Sequence, residues 1–132
     1  MDEKDVKQTK EELVKELEER KKVLKKTPND LHALRNLSDV YVGLGALSNA
    51  ERDYIQAREY FAKELKVRKK IAEQTPDDLE ALCGARDVYA SLGAASKEEE
   101  DYKKASGYFT KALEIQKKSS RNLRATLTRC AV

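Results

Sequence analysis

Metal binding, nucleophilic attack and general-base catalysis all draw on histidine or cysteine held in company. This chain has one histidine, His32, and two cysteines, Cys83 and Cys130. A zinc site closes with about four ligands at short, characteristic spacings. His32 has no second histidine to join it and no cysteine nearby, and the two cysteines form no CxxC pair. A nucleophile needs a base to take its proton and a further group to orient that base, and the sequence names neither. No GxGxxG, GxxxxGK[ST] or HExxH stretch occurs, and Leu44-Gly45 reads as a packing glycine rather than a phosphate loop. The residues therefore predict no enzyme, no metal and no cofactor. His32 is expected as a solvated residue in a first helical turn, and Cys83 as an inert or surface thiol.

What the chain has in quantity is charge. Of its 132 residues 39% are charged and 39% hydrophobic, with both signs interleaved and a net charge of +3. Leu, Ala and Tyr recur at regular intervals between the charges, which predicts solvated helices rather than disorder. A net charge this small makes no case for nucleic acid by itself. No apolar run approaches the roughly 18 residues of a membrane span, and the opening MDEKDVKQTKEE lacks the apolar core of a secretory signal. With two unpaired cysteines, the expected compartment is the reducing cytoplasm.

Slid against itself, the sequence matches at an offset of 48 residues. Thr27-Pro28-Asn29-Asp30-Leu31 returns as Thr75-Pro76-Asp77-Asp78-Leu79, Asp39-Val40-Tyr41 as Asp87-Val88-Tyr89, and Tyr60-Phe61 as Tyr108-Phe109. Between 27–70 and 75–118, 23 of 44 positions are identical without a gap, far beyond coincidence. Lys15-Glu16-Leu17 against Lys63-Glu64-Leu65 carries the match backwards. One domain is expected over 1–132: a half-repeat helix at 8–26, a first unit at 27–74, a second at 75–118, and a tail at 119–132. Starting mid-repeat suits a segment of a longer array.

Within a unit the period is helical. Leu34, Leu37, Tyr41 and Leu44 fall at steps of three and four, one apolar stripe on a helix. Thr27 is expected to cap that helix with Pro28 in its first position and Asp30 beside the free N–H groups; Thr75-Pro76-Asp77-Asp78 repeats the device. The second helix carries one stripe at Tyr54, Ala57, Phe61 and Leu65 and another at Tyr60, Val67 and Ile71, hence two neighbours. Apolar residues lapse near 51–53 and 99–101, where Asp53 and Asp101 are expected to cap the second helices. In the tail, Leu123, Leu127 and Cys130 at i, i+4 and i+7 predict a short separate helix capping the last unit. The fold class is all-α, with about five long helices plus that short one.

At Tyr41-x-x-Leu44-Gly45 followed by Ala57-x-x-x-Phe61, and again at Tyr89-x-x-Leu92-Gly93 followed by Ala105-x-x-x-Phe109, the sequence resembles the tetratricopeptide repeat (TPR). The resemblance covers roughly residues 8–118. It departs from the pattern in its 48-residue period, against about 34, in Ser48 and Ser96 where an aromatic is usual, in Arg52 and Glu100 at the turn glycine, and in Glu64 where the second unit keeps Ala112. A longer-helix α-solenoid of antiparallel helix pairs is implied. Gly45 and Ala57 would let helices approach closely, with Tyr41 and Phe61 filling the space between units.

The resemblance also implies that the first helix of each unit lines a concave face that binds a peptide or protein. By helical spacing that face takes His32, Arg35, Asp39, Val42, Ala46 and Asn49 from the first unit. The second contributes Glu80, Cys83, Asp87, Ala90, Ala94 and Lys97. Alanines leave room for a chain, and Arg35, Asp39 and Asp87 can fix it by charge-assisted bonds. The Lys/Asn set with which chaperone-binding members clamp a C-terminal carboxylate is not matched, since Val42 and Ala46 occupy its first positions. A second reading is self-assembly through incompletely capped solenoid ends. Lys21, Lys22, Lys25 and Lys26, then Arg68, Lys69 and Lys70, then Lys117, Lys118 and Arg121 would place a basic edge at the ends of the first, third and fifth helices, read first as complementing the helix dipoles. A third function, the weakest, is nucleic-acid binding through that edge and the tail residues Arg121, Arg124 and Arg129, but without interleaved aromatics. Glu51, Asp53 and the run Glu98-Glu99-Glu100-Asp101 would make the opposite edge acidic.

Overall fold

The computed structural model describes the backbone of residues 2–75, 78–98 and 100–131, and their side chains except at 79–81, 119, 120 and 122–131. Five α-helices follow one another: α1 (Glu3–Lys26), α2 (Leu31–Ala50), α3 (Tyr54–Gln74), α4 (Leu79–Glu98) and α5 (Tyr102–Ala131). No strand occurs among the described residues. Helix α1 begins ahead of the expected 8–26 because Asp2 caps it, accepting a bond from the Asp5 N–H at 2.9 Å.

The repeated Thr-Pro-x-Asp-Leu works differently from the expectation. Thr27 ends α1 rather than starting α2: its N–H donates to the Val23 carbonyl at 3.2 Å, and so does its hydroxyl, also at 3.2 Å. Pro28 lies in the turn, where a proline just past a helix end prevents continuation. Asp30 is the cap of α2, accepting from the N–H groups of His32 and Ala33. Thr75 likewise closes α3 on the Ile71 carbonyl, while Pro76 and Asp77 lie outside the described residues. The physical reason is that Thr Oγ1 reaches back to the i−4 carbonyl as readily as forward to an N–H, and the nearer aspartate has the stronger claim on the next helix.

The expected short C-terminal helix is absent as a separate element. Helix α5 runs unbroken for 30 residues, with no glycine or proline between Tyr108 and Ala131 to stop it. The basic cluster Lys117, Lys118 and Arg121 therefore sits mid-helix and not at an end.

Packing follows chain order: α1 on α2, α2 on α3, α3 on α4 and α4 on α5. The two stripes on α3 do face two neighbours. Tyr60 and Val67 join Leu17 of α1 and Leu37, Val40, Tyr41 and Leu44 of α2. On the other side Ala57, Phe61 and Leu65 meet Val88, Tyr89 and Leu92 of α4, with Ala112 of α5 behind. The seam between the repeated units is thus made by Phe61, whereas Tyr60 pairs with Tyr41 in its own unit, ring centroids 6.5 Å apart. The same pairing recurs at Tyr89 and Tyr108, at 6.4 Å. Gly45 is the seat of the Phe61 ring: a Cβ there would stand 2.5 Å from a ring carbon.

Between α2 and α3 the chain reverses in a Schellman turn. The Asp53 N–H reaches the Ser48 carbonyl and the Arg52 N–H the Asn49 carbonyl, both at 2.9 Å. Asp53 then caps α3 at Gln56, and Asp101 caps α5 at Lys104. This turn needs a left-handed residue, and Arg52 (φ 62°) and Glu100 (φ 65°) fill the place where glycine would be unstrained. Arg52→Gly and Glu100→Gly are each expected to raise stability by about 0.5 kcal/mol, the relief of roughly 1 kcal/mol of strain less the extra freedom glycine gives the unfolded chain. Thermal melts of both variants measure this, and a lowered midpoint contradicts it.

Candidate partner-binding face

A helix packed on one side leaves its opposite side to solvent, and on α2 and α4 that side holds the residues singled out from sequence. On α2, His32, Arg35, Asp39, Val42 and Ala46 are exposed and Asn49 is half-buried, while Leu34, Leu37, Ser38, Tyr41 and Leu44 are buried. On α4, Asp87, Ala94 and Lys97 are exposed and Cys83 and Ala90 are half-buried. The side chain of Glu80 lies outside the described residues. The Asn49 side-chain oxygen is buried without a hydrogen-bond partner. His32 stands in the first turn of α2, and among the described residues no group of three His, Cys, Asp or Glu side chains is placed to hold a metal ion.

The electrostatics of this face were legible only in part. Arg35 pairs with Asp78 across the units at 3.4 Å, and Arg86 with its neighbour Asp87 at 3.0 Å. A further pair was not foreseen as a pair, Glu64 being noted only as a departure from the repeat and Arg68 only as part of a basic edge. Glu64 of α3 is 2% exposed and takes the Arg68 guanidinium at 2.6 Å, with its other oxygen unbonded. Burial pushes the Glu64 carboxyl above its ordinary range; the hydrogen bond and charge of Arg68 pull it back, and the charges of Asp39 and Asp87 push it up again. Asp39 on α2 and Asp87 on α4 thus both act on one buried carboxylate. Gly84 makes room for Arg68, since a Cβ there would stand 2.6 Å from the guanidinium. The signal available in sequence was the swap of Glu64 and Arg68 for Ala112 and Gln116 one unit later.

A second concavity, not anticipated, lies between α1 and α3. It has a volume of about 570 Å³ and is lined by Lys7, Lys10, Val14, Glu51, Gln56 and Tyr60, among others. Lys10 bonds to Gln56 and pairs with Glu51 at 2.8 Å, so its ammonium is already engaged with one member of the expected acidic edge.

No described helix is long and apolar enough to cross a membrane. Compared with protein-family models, curated proteins and solved structures, the chain matches none.

Proposed function

We propose that the chain is a protein-interaction module of TPR-like, α-solenoid character, binding a peptide or protein partner across the exposed faces of α2 and α4. The observation that carries this reading is the repetition of Asp39 as Asp87. Each is exposed on the first helix of its unit, and both act on the same buried Glu64 of the intervening α3. Packing does not require these carboxylates, since neither is buried. Together with Arg35 and the small Ala46, Ala90 and Ala94, they offer charge-assisted contacts beside space for a chain. The seating of Phe61 on Gly45 and Phe109 on Gly93 supports the TPR-like reading.

Reversing the charge of Asp39 and Asp87 to lysine is expected to weaken partner capture about tenfold or more, as loss of hydrogen-bonded charge pairs does at interfaces. The assay is capture from cell extract by the isolated chain, identification of the captured protein, and titration of that protein against wild-type and variant chains. Circular dichroism checks that the fold is kept. Unchanged affinity moves the binding surface away from α2 and α4.

A further inference from the structure

The outward side of α5 repeats the side of α3 that α4 covers, yet here it is bare. Phe61 on α3 is 3% exposed, whereas its counterpart Phe109 is 39% exposed, and Leu113 and Tyr102 beside it are 58% and 63% exposed. The exposed row Tyr102, Ser106, Phe109, Leu113 and Gln116 steps by four, three, four and three residues, the 3.5-residue period of a coiled-coil seam. In the sequence that spacing continues through Ser120, Leu123 and Leu127, on the backbone of the same continuous helix. We propose that the exposed row Tyr102–Gln116 of α5 pairs with the same row on a second copy of this chain, making a closed two-fold dimer.

Three features favour a second copy over a further helix of the α4 kind. At the places on α3 that correspond to Ser106 and Gln116 stand Arg58 and Arg68, and α4 accommodates Arg68 through the notch at Gly84. A row that meets its own image cannot carry a charge at its centre without facing the like charge, and every position of the α5 row is uncharged. The buried Glu64 is likewise replaced by Ala112. Length points the same way: α5 has 30 residues against 20 in α4, about 15 Å more, while α1, α2 and α3 run 24, 20 and 21 residues. Among the described helices, only another α5 matches it end to end. Gln116 in the seam is the polar residue that sets register in such pairs at a cost in affinity. This surface is separate from the α2 and α4 face, and either proposal can fail without the other.

Sedimentation velocity of the full chain from low micromolar to near-millimolar concentration tests the pairing. A monomer–dimer equilibrium is expected. Phe109→Glu and Leu113→Glu, both at exposed sites, should each weaken it about a hundredfold or more while the helical spectrum is kept, because a carboxylate would be buried in the seam. Gln116→Leu should tighten it about tenfold. Added salt should strengthen it by screening Lys103 and Lys117, which flank the row with like charge. A monomer at every concentration overturns the proposal. So do association indifferent to all three variants, weakening by salt, and open-ended growth beyond a dimer.

Discussion

Phe61→Ala is expected to lower the unfolding free energy by about 3–5 kcal/mol, and Phe109→Ala by less than about 1 kcal/mol, although the two phenylalanines occupy the same place in successive units. Phe61 is buried between two helices: its ring rests on Gly45 of α2 on one side and packs with Val88, Tyr89 and Leu92 of α4 on the other. Removing it leaves a cavity in the α3–α4 seam that joins the two repeated units, and neither helix can close the gap without losing its contact to the other. Phe109 rests on Gly93 in the same manner but has no helix beyond it, so truncation opens no cavity that water cannot fill. For a domain whose whole stability is on the order of 5–15 kcal/mol, the first loss is grave and the second minor. Urea unfolding followed by circular dichroism, at concentrations low enough to keep the chain monomeric, gives both numbers. Equal losses would mean that the α3–α4 seam is not what holds the units together.

That contrast also marks how far sequence reasoning reaches here. The offset of 48 residues located the helices of both units, because identical residues at identical spacing fold identically in similar surroundings. It could not show that Phe109 is half bare, because exposure depends on what lies beyond the helix and not on the residue. Thr27 was misplaced for a related reason: threonine ends a helix as well as it begins one, and only the position of Asp30 decides between the two. The tail of α5 looked like a new element because its apolar spacing resumes after Ser119-Ser120, yet without a glycine or proline the helix simply continues through the two serines. On the candidate face, the family resemblance chose the helix and helical spacing chose its residues, five of which on α2 are exposed while Asn49 is half-buried. The coupling of Asp39 and Asp87 through Glu64 was hidden, since a glutamate in a run of Lys, Glu and Arg looks like any solvated charge. The break in repeat symmetry at that position was the one clue.

Arg68→Gln is the second substitution expected to be severe, at about 3–5 kcal/mol above neutral pH, because it leaves a buried carboxylate without its cation. The cost should depend on pH in a definite direction. In the wild-type fold, burial already holds the Glu64 carboxyl above its ordinary range, with Asp39 and Asp87 adding to the effect and Arg68 opposing it. A carboxyl raised in the folded state favours folding while protonated, below the ordinary value of about 4.3. That advantage is lost as pH climbs through the raised folded value. Without Arg68 the folded value rises further, so the variant should be nearly as stable as the wild type near pH 4 and progressively worse toward pH 8. Glu64→Ala combined with Arg68→Gln installs the residues of the second unit, Ala112 and Gln116, and removes both charges at once. The double variant is expected within about 1 kcal/mol of the wild type, with the steep pH dependence gone, since a buried ion pair is worth little more than the apolar packing that replaces it. Denaturant midpoints of the three proteins across that pH range make the comparison. A pH-independent loss in Arg68→Gln would mean that Glu64 is not held as an anion between α2 and α4. The link from Asp39 through Glu64 to Asp87, on which the binding face was drawn, would then be broken at its centre.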